Sequence, residues 1–193
     1  MLSVVIPTDN SERALVPTLA ALVPGATAGL VTEVIIADAG SSDGTAEVAD
    51  FAGCRMSVSP GPPGIRLAAA AELARAPWLL FLDPGSAPQG AWIGETTRFI
   101  EEVSGQGQVD AVVAVFRHLA PTYVATSPLR EAAGLLVQAI GIAPRRTQGL
   151  LIEKRHYQRI GGHSTTTAKP GADILRRLRR RQVVTLRCGA TGT

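Results

Sequence analysis

EVIIADAGSSDGTAEVADFA, residues 33–52, runs from an apolar stretch through a glycine-rich turn into a helix-forming segment. The unbroken apolar run of EVIIAD (33–38) is the pattern of a strand buried on both faces, because a half-exposed strand would alternate with polar residues. AGSSDG supplies the turn and TAEVADFA (45–52) the helix. Asp38 ends the strand, Gly40 and Gly44 permit positive φ, and Asp43 or Thr45 is placed to cap the helix. Asp38, Gly40, Asp43, Gly44 and Thr45 are thus explained either by the needs of the turn or by a ligand.

The same unit recurs on both sides. LSVVIP (2–7) reads as a strand and SERALVPTLAALVPG (11–25) as a helix that Ser11 could cap, with Pro17 in its early turns and an end near Pro24 and Gly25. Downstream, CRMSV (54–58) is a third strand and PGPPG (60–64) breaks the chain. An alanine-rich helix, IRLAAAAELARA (65–76), then leads to the strand WLLFLD (78–83). Parallel strands need crossover connections, so alternating β and α implies a mostly parallel sheet covered by helices on both faces. Ligands of such sheets bind outside the carboxyl ends of the strands, where Asp38 and Asp83 should stand. The turn after Asp38 is not GxGxxG and no GxxxxGK[ST] occurs, so neither a dinucleotide site nor a P-loop is indicated.

The second half is less regular. Helices are expected at 91–105, 128–141 and 173–181, with a short one in HYQRIGG, and strands at 110–116 (DAVVAVF), 149–154 (GLLIEK) and VVTLR. There is no internal repeat and no linker, so residues 1–193 read as a single domain, ordinary in size for one hydrophobic core.

Composition narrows the function. The chain is 46% hydrophobic and 18% charged, with no apolar run long enough for a bilayer span. Its first residues, MLSVVIPTDN, lack the basic start of a signal peptide, so a cytoplasmic location is expected. Cys54 and Cys188 form neither a disulfide framework nor a metal motif, and His118, His156 and His163 share no ligand spacing. The net charge of +3 resides in the tail: residues 171–193 hold six arginines against Asp173. Arg176, Arg177, Arg179, Arg180 and Arg181 read either as a solvated helix face or as a peripheral contact with anionic headgroups at the inner face of a membrane. Four phenylalanines, two tyrosines and no recognised module argue against nucleic acid.

Taken in order, SVVIPTDNSERAL, EVIIADAGSSDGTAEVA, WLLFLDPGS and QGLLIEKRHYQRIGGH resemble the family-2 nucleotide-sugar glycosyltransferases of the GT-A fold, in particular a short bacterial glycosyltransferase-like branch. The resemblance spans roughly residues 2–188. It implies a Rossmann-like three-layer α/β/α fold with a nucleotide-sugar-binding half (1–90) and an acceptor-side half (91–193). It also implies a nucleoside-diphosphate sugar as donor, a hydroxyl acceptor, and Mn2+ or Mg2+ as cofactor. The loop Pro7, Thr8, Asp9 to Glu12 would line the nucleotide pocket, with Asp38 on the base or ribose and Gly40 and Asp43 in the adjoining turn. Arg66 stands where the family branch often carries a glutamine, and reads either as a phosphate contact at a helix N-terminus or as a surface arginine with no partner.

The family's aspartate-any-aspartate metal motif falls on Asp83, Pro84 and Gly85, so Asp83 is kept and the second acid is replaced. The glutamate–aspartate pair that supplies the general base falls on Pro170 and Gly171; Asp173, or Glu153 earlier, is the nearest acid left. Two functions therefore stand side by side: an active glycosyltransferase with Asp173 as a displaced base, or a catalytically degenerate relative that binds nucleotides or serves as a scaffold.

Overall fold

The apolar runs of the first half, having no polar face, form strands at the centre of a sheet. The computed structural model describes residues 1–109, 111–119, 148–165 and 170–191. In chain order the elements are β1 (Leu2–Thr8), α1 (Glu12–Thr27), β2 (Val31–Asp38), α2 (Thr45–Phe51), β3 (Arg55–Val58), α3 (Pro63–Leu73) and β4 (Trp78–Phe81). There follow β5 (Ala87–Pro88), α4 (Trp92–Gly105), β6 (Val113–Leu119), β7 (Gln148–Glu153), α5 (Lys154–Arg159), α6 (Pro170–Arg177), a 3₁₀ turn (Arg180–Gln182) and β8 (Val183–Thr191). The helix expected at 128–141 and the start of the strand expected at Asp110 lie outside the described residues.

One eight-stranded sheet has the order β3-β2-β1-β4-β7-β6-β8-β5. The pairs β1–β2, β1–β4, β2–β3 and β6–β8 are parallel, while β7 runs antiparallel to both its neighbours and β5 antiparallel to β8. Pro7 is tolerated in the central strand β1 because β4 pairs only with Leu2–Val5, which leaves Pro7 opposite Ala37 of β2 alone.

Two apolar layers sandwich the sheet. Leu2, Val4 and Ile6 pack with Leu15, Leu19 and Leu22 of α1, Ala49 of α2 and Trp92 and Phe99 of α4. On the other face Val5, Ile35, Leu79 and Phe81 pack with Leu67, Ala70 and Ala71 of α3, Tyr157 of α5 and Ile174 of α6. The expected three-layer α/β/α arrangement is present.

Several boundaries differ from the sequence reading. Helix α1 continues past Pro24 to Thr27. Its two prolines are exposed, so the carbonyls they leave unpaired face water, while buried Gly25 lets the helix approach Trp92: an added Cβ would come within 2.5 Å of the indole Cη2. The basic segment is not one helix to residue 181: α6 ends at Arg177, and the 3₁₀ turn starts three residues later. Strand β8 continues to Thr191, and its far end pairs with β5, a two-residue strand too short to leave a periodic signal.

Candidate functional site

Parallel strands β1, β2 and β4 place their carboxyl ends together, and the loops leaving them form one rim. Thr8 ends β1, Asp38 ends β2, and Asp83 lies two residues beyond β4. The first two are bonded directly: the Thr8 hydroxyl donates to Asp38 Oδ1 at 2.7 Å. Oδ1 also accepts from the Ser41 hydroxyl at 2.6 Å, and Oδ2 accepts the amides of Gly40 at 2.8 Å and Ser41 at 2.7 Å. A carboxylate has about four lone-pair sites, so Asp38 is saturated from within the protein. Burial opposes its charge, but the hydrogen bonds from Ser41, Thr8 and the two amides outweigh it and hold the carboxyl below the ordinary aspartate value. Asp38 thus shapes the turn that follows it.

That turn is laced to the β1–α1 loop. Asn10, at φ 48°, donates its amide to the Ser41 hydroxyl and accepts the Ser42 amide on Oδ1. Asp43 Oδ2 accepts the Glu12 amide, Glu12 Oε2 accepts the Gly44 amide, and the Thr45 hydroxyl accepts the Ser11 amide. Gly44 leaves room for this approach: a Cβ there would lie 2.7 Å from the Glu12 carboxyl carbon and displace that side chain. Asp43 also accepts the hydroxyl and amide of Thr45, and the hydroxyl bond is the main reason its carboxyl is lowered. The caps foreseen from sequence are rearranged: Ser11 and Gly44 occupy the N-cap positions without a side-chain bond, and Ser11 Oγ instead bonds Asp9. Asp9, exposed, accepts from the Asn10 side chain. The loop and turn form a clamp with an acidic outer surface made by Asp9, Glu12 and Asp43.

Asp83 differs from these acids. It is open to solvent, and its carboxylate has no hydrogen-bond partner among the described residues. Protein crowding on its other side raises the carboxyl above the ordinary value. Gly85 is buried at φ 89°, the Ser86 amide donates to the Asp83 carbonyl at 3.0 Å, and the Gly85 amide reaches Ala14 and the Thr18 hydroxyl at 2.9 Å. With Pro84 second and a positive-φ glycine third, this is a type II turn. Gly85 therefore docks the turn on α1, where the family's second acid would have no such fit.

The other predicted residues scatter. Arg66 is buried in the first turns of α3; its Nη1 donates to the Gly61 carbonyl at 2.6 Å and its Nε has no partner. Glu153 pairs with Trp78 at the opposite end of β4 from Asp83 and accepts the His156 amide to cap α5, so it is remote from the rim. Asp173 is engaged by Arg176 at 3.2 Å and Arg177 at 3.0 Å, while Arg177 also donates to the carbonyls of Ile160 and Gly162. This ties α6 to the turn before His163. Pro170 and Gly171 open α6. Arg180 and Arg181 stand at the start of β8, beside the start of β6 and so at the end of the sheet away from the rim.

One group escaped the sequence reading. His163 and Tyr157 are both buried, with the tyrosine hydroxyl accepting the His163 amide at 3.0 Å and lying 2.8 Å from His163 Nδ1. The imidazole stands edge-on to Phe81, centroids 4.5 Å apart. Burial, with help from Arg177, lowers His163 to about 4, and burial lifts Tyr157 to about 12. The signal in the sequence was only the spacing of Tyr157 from GGH. The loop is held against α3, since a Cβ at Gly64 would collide with the Ser164 carbonyl.

The sequence profile of glycosyl transferase family 2 matches residues 3–182. The chain belongs to glycosyl transferase family 2. No curated protein sequence matches it. The crystal structure of S. aureus TarS is similar over the whole of this chain and 36% of its own, with a TM-score of 0.69 and 15% identity. TarS 1–349 in complex with UDP-GlcNAc matches the whole of this chain and 58% of its own, with a TM-score of 0.65 and 18% identity. Glucosyl-3-phosphoglycerate synthase from Mycobacterium tuberculosis, in complex with Mn2+, UDP and glucosyl-3-phosphoglycerate, matches the whole of this chain and 72% of its own, with a TM-score of 0.62 and 17% identity. The family-2 fold is therefore GT-A, and the chain spans from about a third to three fifths of the TarS chains it matches. Among the described residues of this family-2 protein no helix is long and apolar enough to cross a membrane, and no group of three metal-binding side chains occurs.

Proposed function

We propose that the chain binds a nucleoside-diphosphate sugar at the rim formed by β1, β2 and β4, as the donor-binding domain of a glycosyltransferase. The observation that carries this reading is Asp83: the rim's other motif carboxylates are consumed by internal hydrogen bonds, and this one is left facing solvent. The clamp from Thr8 to Thr45 forms the wall for the nucleoside. The diphosphate extends from that wall toward Asp83, where a cation can join carboxylate and phosphate, and toward Arg66 in the first turn of α3. Asp38 acts by fixing the wall rather than by touching the base. UDP is the first nucleotide to try, since both neighbours named above were captured with UDP or its sugar.

A divalent ion fits this rim only as cargo of the donor. Magnesium commonly binds through one or two carboxylates together with substrate phosphates, and among the described residues Asp83 is the strand-end carboxylate of this rim that no protein group occupies. Such an ion neutralises charge on the departing diphosphate when bound. The residues of this chain supply the remainder: the Asp38-centred clamp orients the nucleoside, and the turn at Gly85 fixes where Asp83 stands.

A second reading, binding without transfer, is favoured by one observation. Glu153 is at the wrong end of the sheet and Asp173 is engaged by two arginines, so neither acid considered as a displaced base is presented to an acceptor hydroxyl. The test is thermal melting against uridine, guanosine, thymidine and cytidine diphosphates and their sugars, with manganese, magnesium or chelator. A ligand that binds only the native state raises the midpoint. A rise confined to one nucleotide and diminished by chelator is expected; an unchanged midpoint with all of them would remove the donor reading. Release of free sugar or transfer to an acceptor by a preparation that shows the rise would decide for the active enzyme.

A further inference from the structure

The Tyr157–His163 pair is a buried polar cluster that the donor site as described leaves unused. Its hydrogen positions follow from counting. The tyrosine oxygen accepts the His163 amide, so the hydroxyl proton is available for Nδ1, 2.8 Å away, and no other acceptor for it lies among the described residues. An Nδ1–H imidazole would strand that proton inside the protein. Nδ1 is therefore the acceptor, and the ring proton sits on Nε2. Nε2 itself has no partner among the described residues.

The ring's surroundings point toward the diphosphate end of the rim. The ring packs nearly perpendicular to Phe81, two residues before Asp83, and the next residue, Ser164, presses on Gly64 at the start of α3. Arg66, one turn into α3, is buried with an unpartnered Nε. Two donor groups without acceptors among the described residues, His163 Nε2 and Arg66 Nε, thus stand beside the N-terminus of an eleven-residue helix, where Pro62 and Pro63 carry no N–H and the helix dipole remains.

We infer that His163 is a ligand-binding residue, held by Tyr157 as an Nε2–H donor to a phosphate oxygen of the bound nucleoside diphosphate. This rests on the donor reading above. The fixed tautomer makes His163 a donor and not a general base, so it replaces neither of the missing acids. Arg177, which holds the Ile160–Gly162 turn, keeps the ring in register.

The experiment is histidine nitrogen NMR on the full chain with UDP and magnesium as probe, joined to affinities for UDP and uridine. The expected spectrum shows Nε2 protonated and Nδ1 accepting, unchanged at pH 5, with the Nε2 signal moving when UDP is added. H163F, which keeps an aromatic ring against Phe81, is expected to weaken UDP about tenfold and leave uridine unaffected. Y157F, which removes the proton given to Nδ1, is expected to weaken UDP about threefold. An Nδ1–H signature, or an unaltered ratio of UDP to uridine affinity in both variants, overturns the inference while the donor reading stands. Failure of the unmodified protein to bind any nucleoside diphosphate overturns both.

Discussion

The two halves of the sheet treat their acids in opposite ways. Around β1, β2 and β4, Asp38, Asp43 and Glu12 are tied into loop architecture, and this leaves Asp83 as the exposed exception. Around β7, α5 and α6, Glu153 and Asp173 are both committed, one to a helix cap and the other to two arginines, with no exception among the described residues that reaches the rim. Acids serve as scaffold in both halves, but among the motif acids of the described residues it is in the first half that one stands without a partner. A motif aspartate is thus informative through its bonding partners, and a binding surface can persist where the residues for proton transfer have been redeployed.

The sharpest break in this comparison would come from Asp38→Ala. It strands the buried Thr8 hydroxyl, worth about 1–3 kcal/mol when left unpaired, and removes the acceptor of the part-buried groups of Gly40 and Ser41, so a loss of about 2 kcal/mol or more and a clearly lower melting temperature are expected. Because the Asp38 carboxyl is depressed in the folded state, its contribution is full above the ordinary aspartate range and fades as pH falls through the lowered value. The alanine variant should lack that acid-side decline; an equal decline in both proteins would show the clamp is not held by charge.

In the second half the titrating element is His163. Its folded value of about 4 lies below the ordinary 6.5, so the unfolded chain binds the extra proton between those limits and stability rises with pH across that window. The span corresponds to on the order of 3 kcal/mol between pH 6.5 and 4. Chemical denaturation at a series of pH values should show a flatter profile for His163→Phe; an unchanged slope would mean that the ring is not shut away from water.

Gly85→Asp restores the family's second acid by sequence alone. It forces a branched backbone position to φ 89° in a buried turn on α1, so a loss of about 1–2 kcal/mol is expected. No gain in manganese affinity should accompany it. A stable variant with tighter metal binding would show the turn to be incidental and the first half to have lost a true ligand.

The sequence made the first half legible because its signals are local. Continuous apolar strands, the D-x-G-S-x-D-G-T turn and an alternation of period fixed by crossover connections each fall within about ten residues. What it could not show was partnership. Whether Asp38 is free or saturated depends on Thr8, thirty residues away, and whether Asp173 can serve as a base depends on which way Arg177 turns. The Tyr157–His163 pair had no motif because a hydrogen bond between two buried residues six positions apart, across an exposed turn, leaves no periodicity. Strand β5 was missed since two residues cannot establish a pattern, and the basic helix was drawn too long since charge runs extend across chain breaks as readily as along helices.

The smallest change in stability should accompany the largest in function. Asp83→Asn alters an exposed, unpartnered side chain, so stability should stay within about 0.5 kcal/mol. Calorimetric titration of UDP and UDP-sugars into the unmodified protein and the Asp83→Asn variant, with manganese and again with chelator, is the most direct measurement of the account's central claim. The account predicts binding to the unmodified protein that weakens with chelator, and binding to the variant that is weaker and no longer responds to it. Equal, cation-responsive affinity in both proteins would contradict it, because the free carboxylate at the end of β4 would then have no part in holding the donor.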